Sequence, residues 1–125
     1  TGSYLDKHHA TAFGHYKTTP ESNHVPYLKP QENSSHYGCT EVKVANSSDY
    51  FTVQSTPFSM NVSPYSQEEL GSKKHQYDLE KSGSTLLYVD YKMSGVGSNS
   101  CGPALKAQYR LNETEWDWSI LLQIK

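Results

Sequence analysis

A basic excess is missing from this sequence: 11 Lys and Arg stand against 13 Asp and Glu, a net charge of -2. Nucleic acids and anionic membranes reward a basic surface, so neither is expected as a partner. Long apolar runs are also missing, and none approaches the roughly 18 residues that a membrane-spanning helix requires. No basic start followed by an apolar stretch marks a secretory leader. Cysteine is scarce, with only Cys39 and Cys101. A bridge between them would close a long loop and imply an oxidising compartment, whereas two free thiols fit a cytosolic protein, and small disulfide-stapled domains carry more cysteine. Four Asn-X-Ser/Thr sequons, at Asn33, Asn46, Asn61 and Asn112, point towards secretion. In a chain this rich in serine and threonine so short a motif arises by chance.

What the chain has in quantity is period-two alternation, the mark of half-buried strands whose successive side chains face opposite sides. Val42 and Val44 alternate with Glu41 and Lys43, and Phe51 and Val53 with Thr52 and Gln54. Phe58, Met60 and Val62 oppose Ser59, Asn61 and Ser63, and Leu87, Val89, Tyr91 and Met93 oppose Leu86, Tyr88, Asp90 and Lys92. Leu105, Ala107, Tyr109 and Leu111 form a fifth apolar face, and Trp116, Trp118, Ile120, Leu122 and Ile124 a sixth. Six such strands, the last two joined through a turn at 112–115, predict an all-β antiparallel sandwich. One short helix is expected where Ser66-Gln67-Glu68-Glu69 matches a capping box, with Gly71 limiting it to one or two turns. Residues 1–38 differ: prolines at 20, 26 and 30 and five of the six histidines show no period, so this is an extended, loop-rich lead-in. At 125 residues the whole is one domain or part of one.

The stretch with most chemical interest is Met-Ser-Gly-Val-Gly-Ser-Asn-Ser-Cys-Gly-Pro at 93–103. Glycine, proline and small polar residues do not build core, so a loop of this length positions something. Ser98, Ser100 and Cys101 are nucleophile types, but a nucleophile needs an adjacent base, and the stretch is not a Gly-X-Ser-X-Gly elbow between strand and helix. His8, His9, His15, His24 and His36 lack the spacing of a zinc site and read as solvated loop residues. Glu68 and Glu69 sit where a helix dipole favours negative charge, and no pair of acids stands out as a glycosidase couple. Tyrosine and tryptophan faces stack on sugar rings, although most of these rings fall on strand faces that read as core.

Tyr4-Leu-Asp-Lys, Pro26-Tyr-Leu-Lys-Pro-Gln-Glu-Asn33, Gly38-Cys-Thr40, Ser63-Pro-Tyr-Ser-Gln-Glu-Glu-Leu70, the 93–103 loop and Tyr109-Arg-Leu occur in a fixed order. In this order they resemble the C-terminal domain of the large bacterial β-galactosidases of glycoside hydrolase family 2, from about residue 2 to residue 125. The resemblance implies that residues 1–125 are the C-terminal half of a supersandwich of the galactose mutarotase type. Its N-terminal half, and the catalytic barrel with two glutamates and Mg2+ and Na+ sites, would lie elsewhere. It implies no catalytic residue and no cofactor here, a cytoplasmic parent enzyme that hydrolyses terminal β-D-galactosides such as lactose, and the catalytic barrel as partner. The 93–103 loop would form part of the sugar-site wall. Gly95, Gly97 and Gly102 would shape it, Pro103 would end it, Cys101 would line the pocket, and Asn99 and Ser100 would bond sugar hydroxyls. Cys101 stands where the best-known members present a tryptophan, so this chain would lack that stacking face. Half a sandwich would also leave apolar faces uncovered, favouring self-association of the fragment. The alternative is a free-standing carbohydrate-binding sandwich module with a Cys39–Cys101 disulfide.

Overall fold

The computed structural model describes residues 14–24, 35–93 and 103–125. Their centre is one antiparallel sheet of four strands: β1 (Ser35–Ala45), β2 (Tyr50–Ser63), β3 (Leu86–Asp90) and β4 (Leu121–Ile124). β2 is the organising strand. β1 pairs along one side of it, while the other side is shared by β4, opposite residues 51–54, and β3, opposite residues 59–63. The all-β expectation holds.

A four-residue turn joins β1 to β2. The Asn46 Oδ1 accepts from the amides of Ser48 at 2.8 Å and Asp49 at 2.7 Å, the local bond that makes asparagine a turn former. This sequon side chain is therefore engaged in the fold, and that of Asn61 is buried.

The two alternating segments read as separate strands at 51–54 and 58–63 are one strand. Between them the pairing with β1 shifts register, from Glu41↔Gln54 to Cys39↔Phe58. Pro57, which has no N–H to give a ladder, lies in that interval, where neither β3 nor β4 pairs either. Two extra β2 residues are accommodated there, and Val53 and Phe58, an odd number apart, both reach the core across this irregular stretch. A second shift between His36 and Cys39 surrounds Gly38, whose φ of 70° is the left-handed conformation glycine adopts without strain. These bulges hide the period, which is why 35–38 reads as lead-in yet forms the start of β1.

Val42, Val53 and Phe58 form the buried centre, with Cys39, Phe51, Met60, Leu87, Val89 and Trp118 packed around them. α2 (Gln67–Ser72) is the expected short helix, and the Ser66 hydroxyl accepts from the Glu69 amide at 3.0 Å. The Glu69 carboxylate is turned to the Glu80 amide at 2.8 Å and to Lys73 at 3.4 Å. An unforeseen single turn, α1 (Pro20–Asn23), starts on a Thr19 cap and packs against β2. Proline at its first position supplies a preset φ and lacks an N–H that would be unpaired there anyway.

Two expectations fail. Residues 105–112 are not a strand: Ala107–Tyr109 is a 3-10 turn, and the Arg110 amide donates to the Ala107 carbonyl at 3.2 Å. The last strand is short, and the face expected to be buried is open: Trp116 is 62% exposed, Leu122 50% and Ile124 80%. The reason is visible in the register. Ile124 lies opposite Phe51 and Leu122 opposite Val53, so both share the core face of the sheet, but among the described residues no second layer covers that face at β4. The alternation at 105–112 likewise finds no ladder partner among the described residues.

Candidate functional site

β3 leads to the glycine-punctuated stretch of 93–103, whose loop reading is an expectation from the sequence. Leu86–Asp90 is held by β2 in the register Ser63↔Leu86 to Ser59↔Asp90, and the three residues that follow carry the near end of the loop. The Tyr91 ring stands 5.7 Å from that of Trp118 at a tilt of 55°, within the range of separations at which aromatic pairs attract. The Lys92 ammonium sits 5.0 Å above the Tyr91 ring and pairs with the Glu113 carboxylate. That pairing holds the lysine's proton affinity above its usual value and the glutamate's below. Burial raises the affinity of Asp90 at the end of β3, so this carboxyl keeps its proton to higher pH than a free one. On the far side Pro103 is exposed, and Arg110 Nε donates to the Leu105 carbonyl.

The stem of the loop is thus tied at three points: Tyr91 to Trp118, Lys92 to Glu113, and Leu105 to Arg110. Cys101, Asn99 and Ser100, with Ser98 and the three loop glycines, lie outside the described residues. What the structure places is the frame on either side of them. Sequence reasoning treated Tyr91 and Trp118 as core and gave Lys92 and Glu113 no role. The aromatic pair was within reach, because both rings were assigned to inward faces. The ion pair joins residues 21 apart that no local pattern links.

Several of the other acids are paired singly rather than turned to a common focus. Glu21 meets Lys81, Glu69 meets Lys73, and Gln54 donates to Glu41. Among the described residues no three His, Cys, Asp or Glu side chains are grouped to hold a metal ion. An open depression of about 630 Å3 is lined by residues 72–80 alone, including Lys73, His75 and Tyr77. It draws on a single stretch of chain, unlike ligand sites in which polar groups converge from several elements. Cys39 is a free, half-buried thiol, and burial pushes its proton affinity up, which keeps it from acting as a thiolate. No helix among the described residues is long and apolar enough to cross a membrane.

Comparison with known proteins decides the family. The sequence model described as beta galactosidase small chain matches residues 1–122. The chain belongs to the β-galactosidase small chain family. It is 58% identical over 114 residues to a β-galactosidase of Actinobacillus pleuropneumoniae, a match covering 91% of this chain and 11% of that protein. It is 38% identical over 122 residues to a β-galactosidase of Staphylococcus xylosus, covering 97% of this chain and 12% of the relative. A Streptococcus thermophilus β-galactosidase is 34% identical over 100 residues, covering 78% of this chain and 10% of its own. The chain thus spans about a tenth of the length of the curated relatives it matches. The resemblance to a β-galactosidase domain read from the ordered motifs is borne out.

Proposed function

We propose that this chain is a non-catalytic C-terminal β-sandwich domain of a cytoplasmic β-galactosidase that hydrolyses terminal β-D-galactosides such as lactose, and that its 93–103 loop forms part of the wall of the sugar site. The observation that carries this reading is family membership at about a tenth of the length of relatives named β-galactosidase. Two features of the fold support it. The stem of the loop is braced by ring packing and ion pairing, as a loop that presents groups to a ligand requires. The core face of the sheet also continues uncovered over β4, which suits a sheet completed by further polypeptide of the parent enzyme.

In this reading the chemistry belongs to a neighbouring barrel. One glutamate acts as nucleophile and a second as acid and base, and two displacements retain the anomeric configuration. Any Mg2+ or Na+ would be held there as well. The contribution of this domain is to shape and close the pocket. Cys101 would line it as a small apolar surface, and Asn99 and Ser100 would offer hydrogen bonds to sugar hydroxyls.

The loop's role is tested by Cys101→Trp in an intact β-galactosidase carrying this domain. A stacking face at that position is worth about 0.5–1.5 kcal/mol, so KM for galactosides should change roughly 2- to 10-fold, with a shift in the ratio of transfer to hydrolysis. Unchanged KM and unchanged product ratio would refute contact between this position and the sugar.

A further inference from the structure

Residues 14–24 reach the sheet through a small set of contacts around α1. Asn23 Oδ1 lies 2.8 Å from His36 Nε2 of β1, and Glu21 lies 3.4 Å from Lys81. The His24 ring stands 4.9 Å from that of Tyr65, just after β2, at a tilt of 56°. The Asn23 amide donates to Thr19 at 2.9 Å and the His24 amide to Pro20 at 3.2 Å, closing the turn behind these side chains.

His24 differs from the other groups in this set. Both of its ring nitrogens are closed off from solvent, and neither has a hydrogen-bond partner among the described residues. A neutral imidazole tolerates this at the cost of one unpaired donor and one unpaired acceptor. An imidazolium would bury two unpaired donors and a full charge, a much larger penalty that is relieved only by letting water in. We propose that protonation of His24 undocks residues 14–24 from the sheet, so that this segment is a strap released by mild acid.

The groups around the ring do not cancel the penalty. Tyr65 offers a ring rather than an anion. The Glu21–Lys81 pair is exposed and holds its own counter-charges together. His36 donates from Nε2 to Asn23 Oδ1, so a second proton on its other nitrogen leaves that bond intact and adds only positive charge nearby. Burial lowers the proton affinity of both histidines. The sign follows. The undocked state, with His24 near its ordinary value of about 6.5, binds more protons than the docked state between that value and the lower docked one. Docking is therefore strongest above about pH 6.5 and weakens as pH falls through that window.

The test is NMR of the 125-residue chain between about pH 7.5 and about pH 5, following the His24 ring and the amide protection of Asn23 and His24 after correction for intrinsic exchange. The ring should titrate below about 6.5, and protection should fall by up to about tenfold per pH unit with the same midpoint, as one linked proton requires. His24→Phe, which keeps a ring against Tyr65 without titratable nitrogens, should hold its protection down to pH 5. A wild-type ring midpoint at or above about 6.5, or protection that stays flat across the range, would overturn the proposal. Loss of protection in His24→Phe at the wild-type midpoint would do the same.

Discussion

Replacing Phe58 with alanine should cost about 3–5 kcal/mol of folding free energy, a fall of about 10–20 °C in Tm for a chain of this size. Phe58 is 1% exposed and sits where the ladder with β1 shifts register, packed with Val42 and Val53. Its neighbours are fixed by strand pairing on both sides, so they cannot close over the cavity, and the cost takes the upper part of the range for such truncations. A loss of that size is a large share of the 5–15 kcal/mol that stabilises a typical domain. Tyr77→Ala is the matched control. Its ring is 83% exposed, and the change should stay within about 0.5 kcal/mol. Denaturant melts of the two variants check both statements, and a Phe58→Ala loss below about 1 kcal/mol would contradict the core described above.

The second large effect concerns the open face at β4. The chain by itself should self-associate at micromolar to millimolar concentration, because Leu122 and Ile124 extend the core face into solvent on a four-residue strand whose outer edge is unpaired among the described residues. Leu122→Lys combined with Ile124→Lys places two charges on that face, a device natural sheets use to block edge pairing. Each buried aliphatic side chain contributes about 1.5–3 kcal/mol when fully covered, so losing part of two should weaken association at least roughly 30-fold. Sedimentation velocity reads both species. A wild-type chain that stays monomeric throughout would show that the face is tolerated in water.

Much of the sheet was legible in the sequence, and the reasons are local. Side-chain alternation depends only on the strand backbone, so Phe58, Met60, Leu87 and Val89 fall on the side that packs on the core, as read, and Leu122 and Ile124 share that side, whereas Ser59, Asn61 and Ser63, read as facing away, are buried as well. The Ser66 cap was readable because its bond closes within three residues. What alternation cannot report is whether anything lies opposite. Trp116 and Ile124 carry a core pattern and are exposed, since burial depends on a layer that the described residues do not supply. The pattern at 105–112 misled for the same reason, and there the backbone turns locally instead. The start of β1 and the continuity of β2 were hidden by register irregularities, one extra residue in β1 around Gly38 and two extra in β2 around Pro57. At the candidate site, the family was legible from the ordered motifs, while residues 94–102 lie outside the described ones. The Lys92–Glu113 brace was not legible, because long-range ion pairs leave no periodic trace.

The central claim is that this chain is one wall of a galactoside site and not the catalyst. Its most direct test is turnover of a chromogenic β-galactoside by the purified 125-residue chain, alongside the intact β-galactosidase that contains it. The account predicts hydrolysis by the intact enzyme and none above background by the chain. Hydrolysis that co-purifies with the chain, and persists when host β-galactosidase is excluded, would contradict it.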